Sequence, residues 1–331
     1  MKIVVLMQNT TPYHSSAPGA AYVDLNGNFV SKTPGSFPCV RTRQMPVMAS
    51  RGEGEVRRLY LPIMPANSLR HDLRAGILGA ILDAFRGKYT LSPRAYAAAW
   101  CGNASGTPEG VTATFQEIAT IQAHPFLGLF GGGPRMIEGK LMVDNAWGWT
   151  GETMDLAPPQ AHEWTNTGRL TEVVWKRRLD PIAQAGEDAV EIIDGGAEAI
   201  TEWSAKANLK PAKGKKGEED AEADEERGLR AFNAHEVVIP GVRFTWVIGT
   251  KRALTNQQLG AVLWGIQQMH GRHLGGMSSL GYGKIAIKDV LLDGESLWKG
   301  EAIEHTAIDA FIEALDVMTA AAFEAFASQG E

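Results

Sequence analysis

The chain has 331 residues, 44% hydrophobic and 21% charged, with 32 Lys and Arg against 38 Asp and Glu; this suits one large elaborated domain or two ordinary ones, with ample material for a core. Its two cysteines, Cys39 and Cys101, exclude a disulfide scaffold and a multi-cysteine zinc site. No stretch approaches the roughly 18 apolar residues of a membrane span, so a cytoplasmic protein with no membrane partner is expected.

The net charge of −6 is unevenly spread: residues 218–226 and 300–331 hold seven acids each and no Lys or Arg, and without those fourteen acids 24 remain against 32 bases. Most of the chain is therefore basic, and a polyanionic partner stays open.

Residues 3–7 read as a first strand and not as a signal peptide, because polar residues follow at once. Residues 9–60 form an insertion rich in Gly, Pro, Ser and Thr, with a hairpin turn at Asn26-Gly27. The spacing predicts a helix over 67–86, with Leu69, Leu73, Ile77, Ala80, Ile81 and Ala84 on one face and Asn67 or Ser68 as N-cap after Pro65. A strand follows at 170–178, ending in Lys176, Arg177 and Arg178.

A second insertion, 181–235, carries a charged tip near 211–228 whose composition cannot build a core and is expected to be mobile. Val242, Phe244, Trp246 and Ile248 alternate with Arg243 and Thr245 as a strand. Thr255 and Gln258 make a capping box, and Leu254 with Leu259 a hydrophobic staple, for a helix ending at Gly271. Ile285 and Ile287 mark a last strand. One C-terminal helix over 303–327 turns Ile308, Phe311, Ile312, Leu315 and Met318 inward, with Asp309, Glu313 and Asp316 in water. This order gives an α+β fold with a β-α-β-β-α-β core of ferredoxin or RRM type and two large insertions.

Arg70, His71 and Arg74 crowd the start of the first helix, where the macrodipole disfavours cations unless an anion binds there. The glycine loop 127–136, Leu-Gly-Leu-Phe-Gly-Gly-Gly-Pro-Arg-Met, lacks the Gly-Lys-Ser/Thr ending of a P-loop and is no nucleotide site. A second glycine cluster, 274–283, allows close backbone approach to a ligand. His270 and His273 have no third ligand at metal spacing, so no metal and no cofactor is expected. Among loop carboxylates, Asp24 and Asp180 lack a paired acid, base or nucleophile nearby.

Together these motifs resemble the RAMP superfamily, the repeat-associated mysterious proteins of CRISPR systems. Residues 61–74, Leu-Pro-Ile-Met-Pro-Ala-Asn-Ser-Leu-Arg-His-Asp-Leu-Arg, are similar to its I-P-G-S-S-L-K-G-x-x-R signature, with Ala66, Arg70 and His71 departing from it. Leu129-Phe130-Gly131 matches its Leu-Phe-Gly element, residues 236–244 its E-R-V-P-x-G-x-x-F strand, and 274–283 its C-terminal glycine-rich loop. The set looks most similar to the backbone subunit of type IV CRISPR effector complexes.

The resemblance implies a single hand-shaped domain over 1–331, with an RRM-like palm, fingers from 9–60 and a thumb from 181–235. It implies copies that polymerise along a guide RNA and present it to target DNA, beside other effector subunits and an accessory helicase. Expected RNA contacts are Arg41 and Arg43 from the fingers; Ser68, Arg70, His71 and Arg74; Arg135 and Met136; Lys176, Arg177 and Arg178; and Gly276, Ser278 and Ser279. Type III relatives cut target RNA with an Asp in the N-terminal loop, for which Asp24 is the nearest candidate. Because Asp24 adjoins an Asn-Gly turn dipeptide, a non-catalytic subunit is expected, with a RAMP endoribonuclease as the alternative.

Overall fold

A computed structural model describes residues 1–50, 56–102, 112–177 and 232–328, and positions 194–196, 198, 199 and 202. Arg178, Asp180 and the 211–228 tip lie outside the described residues.

Strand β1 (Lys2–Asn9) leads to three short strands, β2 (Ala21–Val23), β3 (Phe29–Val30) and β4 (Phe37–Val40), then to the hairpin of β5 (Gln44–Ser50) and β6 (Val56–Met64). Helices α1 (Ala66–Phe85), α2 (Pro93–Cys101), α3 (Phe115–Ala123) and the single turn α4 (Leu127–Phe130) follow. The short pair β7 (Gly131–Gly132) and β8 (Ile137–Glu138) precedes β9 (Leu141–Trp147), β10 (Thr171–Arg177), β11 (Phe232–Val238) and β12 (Arg243–Thr250). The chain continues through α5 (Asn256–Met269), β13 (Ile285–Leu292), β14 (Glu295–Ser296), the ribbon of β15 (Trp298–Lys299) and β16 (Ala302–Ile303), and helices α6 (Thr306–Val317) and α7 (Ala321–Ala327).

Two compact units divide the chain: residues 1–18, 41–172 and 237–331 form the first, and 19–40 with 173–236 the second. In the first, seven strands make an antiparallel sheet in the order β14-β13-β1-β12-β9-β6-β5. Its four central strands and two helices run β1-α1-β9-β12-α5-β13 along the chain, and the strands lie side by side as fourth, first, third, second. This is the expected RRM-like order, but its second strand is β9 and not the strand expected at 170–178, which as β10 joins the other sheet.

Strand β1 is buried from Ile3 to Met7 because both faces of the sheet are covered. Ile3, Val5 and Met7 join the core of α1 and α5. On the second face, a 3₁₀ turn over Pro159–Trp164 reaches across, where Trp164 Nε1 donates to the Met7 carbonyl at 3.4 Å.

Helix α1 starts one residue before the expected cap. Pro65 is the N-cap, in extended backbone with no side-chain cap bond. Pairing of Met64 with Ala146 brings Asn145 alongside, and its Oδ1 accepts the Ala66 amide at 2.8 Å. A side chain distant in sequence thus does what Asn67 or Ser68 was expected to do. The buried face is also wider, since Leu78 and Phe85 are inside while Ala80 and Ala84 are only half-buried. Helix α5 carries its capping box as expected, with Thr255 and Gln258 satisfying each other's amides.

The single C-terminal helix is two. Met318 turns to extended backbone after α6, and α7 restarts at Ala321. A straight helix turning about 100° per residue would point Phe323 about 120° away from Phe311. The break lets both rings reach the core, while Ile312 faces solvent.

In the second unit the sheet order is β10-β11-β4-β2-β3, with β11 and β4 parallel. Val23, Cys39 and Ala234 form its core with Phe37, Val173 and Trp175. The expected finger insertion 9–60 therefore splits. Residues 19–40 join the flanks of the second insertion, whereas 44–64 extend the large sheet because Val47, Ala49 and Leu61 have an apolar face to bury near Trp147 and Trp149.

Candidate nucleic-acid interface

The start of α1 opens on a groove of about 570 Å³ lined by Asn67, Arg70, His71, Arg74, Trp100, Phe130, Met136 and neighbours. At this helix end the amides of Asn67 and Ser68 have no acceptor among the described residues, because Pro65 and Asn145 satisfy only the first turn's edge. Free amides at the positive end of a 20-residue helix attract an anion.

The glycine loop forms the facing wall, and its glycines are required by close approach. A Cβ at Gly132 would meet the Gly102 carbonyl oxygen at 2.1 Å, and one at Gly128 would meet that of Gln122 at 2.3 Å. His124 Nδ1 accepts the amides of Phe126 and Leu127 at 3.1 and 3.2 Å and so holds the Leu-Phe-Gly turn. Gln258 binds the carbonyls of Gln122 and His124 at 2.7 and 3.0 Å, tying α5 to the same turn. Its Oε1 accepts from Lys140 Nζ at 2.8 Å.

Arg70 and Arg74 hold the loop to α1. Arg70 Nη2 donates to the Phe130 carbonyl, and Arg74 Nη2 to that of Gly131 at 2.9 Å. Both guanidinium groups lie over the Phe130 ring, at 5.9 and 5.0 Å. Arg70 is half-buried, but Arg74 is 7% exposed, and burial, with repulsion from Arg70, pushes its guanidinium down to about 10. Arg74 is thus a strut beneath the loop, a correction to its expected role as a surface phosphate ligand. Burial also lowers Arg70.

Arg135 needs the same correction: its side chain is 3% exposed, ion-paired to Glu117 at 2.9 Å and bonded to the Ala325 carbonyl at 3.3 Å. Its charge ties α3 to α7. Met136, by contrast, is 58% exposed in left-handed backbone at φ 52° and lines the groove.

His71 is exposed and meets the Trp100 ring edge-on at 5.9 Å, with Tyr96 stacked behind Trp100 at 6.1 Å. Sequence reasoning missed this aromatic wall. Its signal was Ser92-Pro93, an N-cap and first-turn pair, followed by Tyr96 and Trp100 four residues apart on one helical face.

Burial raises the Asp72 carboxyl, and the charges of His71 and Arg272 oppose that rise. Gly276 donates its amide to the His14 carbonyl at 2.8 Å, so that amide is committed to the fold. Ser278 and Ser279 are exposed on a 3₁₀ turn between left-handed Met277 and Gly281. Ser68 is half-buried in the first turn of α1.

Arg41 is exposed; Arg43 is half-buried and bonds the Ser16 carbonyl at 3.3 Å. In the second unit, Lys176 is half-buried, and burial lowers its amine. Arg177 closes β10, and Arg178 lies outside the described residues.

Asp24 caps its own turn: its Oδ1 accepts the amides of Asn26 and Asn28, both at 2.9 Å, and its Oδ2 the Asn28 side chain at 3.1 Å. These bonds, led by the Asn28 amide, lower its carboxyl. His270 Nδ1 accepts the Ile287 amide at 3.1 Å, and His273 Nδ1 lies 2.8 Å from the Tyr282 carbonyl. Among the described residues, no three His, Cys, Asp or Glu side chains gather as a metal site, and no helix is long and apolar enough to cross a membrane.

No model of a known protein family matches the chain, and no curated protein matches it in sequence. Among solved structures it shares its fold with a chain described as "Type IV-B CRISPR Complex", at a TM-score of 0.50 and 14% identity, over 93% of this chain and 96% of that one.

Proposed function

We propose that this chain is a guide-RNA-binding backbone subunit of a type IV CRISPR effector complex, a RAMP protein whose copies polymerise along the guide and present it to target DNA. The groove at the start of α1 carries the reading. There free helix amides, Arg70 and His71 face a space walled by Trp100 and Met136, a set that suits a sugar-phosphate chain with an unstacked base. Likeness of fold along nearly the whole of both chains supports the assembly with other effector subunits; an accessory helicase is a further partner in this reading.

The protein contributes shape and charge; base pairing supplies sequence specificity. RNA does not lie across the core sheet as on an RRM, because the 3₁₀ turn at Trp164 covers that face of β1. The subunit has no catalytic step in this reading. Asp24, the carboxylate an endoribonuclease would use, accepts three hydrogen bonds within its own hairpin turn, which accounts for it without catalysis.

The test uses residues at the groove mouth and leaves the Arg74 strut intact. Arg70→Gln keeps a donor for the Phe130 carbonyl and removes a cation, and His71→Ala removes a ring that can hydrogen-bond phosphate. Guide affinity should fall, and the log–log salt slope should shrink by roughly 0.7 for each phosphate that the protein no longer neutralises. An unchanged slope would return these residues to ordinary surface duty. The number of protein copies, read by native mass spectrometry, should rise stepwise with RNA length; a fixed complex at every length would refute polymerisation.

A further inference from the structure

The β5–β6 hairpin ends the large sheet and presents a face that neither the core nor the groove uses. Its register sets Pro46 opposite Tyr60, Met48 opposite Arg58 and Ser50 opposite Val56. Cross-strand partners share a face. On that face Met48, Val56 and Tyr60 are 57%, 58% and 56% exposed, although the opposite face buries Ala49 and Leu61.

Arg58 lies over the Tyr60 ring, 5.4 Å from its centroid. Arg58 pairs with no carboxylate among the described residues, whereas Arg57, opposite Ala49, belongs to the other face. The described residues from Val40 to Met64 include Arg41, Arg43, Arg57 and Arg58 and no acid; Arg51, Glu53 and Glu55 lie outside the described residues.

We propose that this face is a second nucleic-acid surface, a platform on which Tyr60, flanked by Met48 and Arg58, stacks an unpaired base of single-stranded RNA or DNA. An aromatic face beside an arginine that meets no carboxylate is the combination that holds a single strand without reading its sequence, because every base has a π-face. Ring and guanidinium are already stacked on a paired hairpin, so little order remains to be gained on binding. A protein strand adding to the sheet edge fits less well. β5 is that edge, and Pro46 at its centre has no amide to donate. The inference is independent of the α1 groove, since no residue is shared.

The test is photo-cross-linking of the full chain to 5-iodouridine and 5-iododeoxyuridine oligomers, mapped by mass spectrometry. A cross-link at Tyr60 with either oligomer supports the platform, and the reacting oligomer names the strand. The cross-link should persist in the Arg70→Gln, His71→Ala variant, which separates this site from the groove. Tyr60→Ala should weaken oligomer binding about tenfold and Tyr60→Phe less than about twofold. Cross-links mapping only elsewhere would overturn the proposal. So would a Tyr60→Ala protein that binds both oligomers normally but assembles with fewer copies, which would make the face a protein contact.

Discussion

Gly260→Ala should destabilise the protein by about 2 kcal/mol or more, although alanine in a helix interior usually stabilises by about 1 kcal/mol over glycine. The sign reverses because α5 and α6 touch at this point. A Cβ on Gly260 would lie 1.7 Å from the Ala307 carbonyl oxygen and 3.0 Å from the Phe311 Cβ. Backbone cannot swing aside as a flexible side chain can, so α6 must be displaced and the packing of Phe311 with it. Gly79 in α1 is the control: it too is helical, but a Cβ there would meet nothing within 4 Å. Gly79→Ala should raise stability by up to about 1 kcal/mol in the same urea titration. A Gly260→Ala protein as stable as the parent, or more so, would contradict the α5–α6 contact.

The second large effect is on pH dependence. Burial pushes the His124 imidazole down to about 4. The neutral ring accepts the Phe126 and Leu127 amides, and its Nε2 is buried with no partner among the described residues. In the unfolded chain the ring protonates near pH 6.5, so unfolding takes up a proton between pH 6.5 and 4. Stability from this residue is therefore complete above pH 6.5 and declines by about 3 kcal/mol as pH falls through 4. His124→Asn, which keeps an acceptor but does not titrate, should flatten that limb relative to the parent. An identical profile in both proteins would show that the ring protonates without disturbing the loop.

The opposing case is Glu117, held down to about 2 by its hydrogen bond from Arg135, with the Thr114 bonds next. Its support is complete above the unfolded carboxyl range and disappears only as pH falls toward 2. The two limbs therefore separate along the pH axis.

Much of the core was legible because local pattern and tertiary outcome agree. The Thr255 capping box opens α5 as read, and the period-two run at Phe244, Trp246 and Ile248 is buried as read. The site was legible in its location, since the α1 start and the glycine loop do meet in one groove. The duties within it were not. A guanidinium's partners lie across the fold: Arg74 reaches Gly131, and Arg135 reaches Glu117 and Ala325. The cap of α1 hid for the same reason, because Asn145 arrives from another strand. The split C-terminal helix was obscured because its alanine-rich sequence suits a continuous helix, and only the directions of Phe311 and Phe323 demand a break.

Order of synthesis follows from the pairing of β1. Its neighbours are β12 and β13, with Lys2 opposite Gly249 and Ile3 opposite Leu292. Strand β1 thus waits until its partners about 240 to 290 residues later have been made, a delay of about 15–60 s at typical elongation rates. The second unit waits too, since Cys39 pairs with Ala234. Until then Val4 and Leu6 have no sheet to enter, and a nascent chain carries them uncovered for that whole interval.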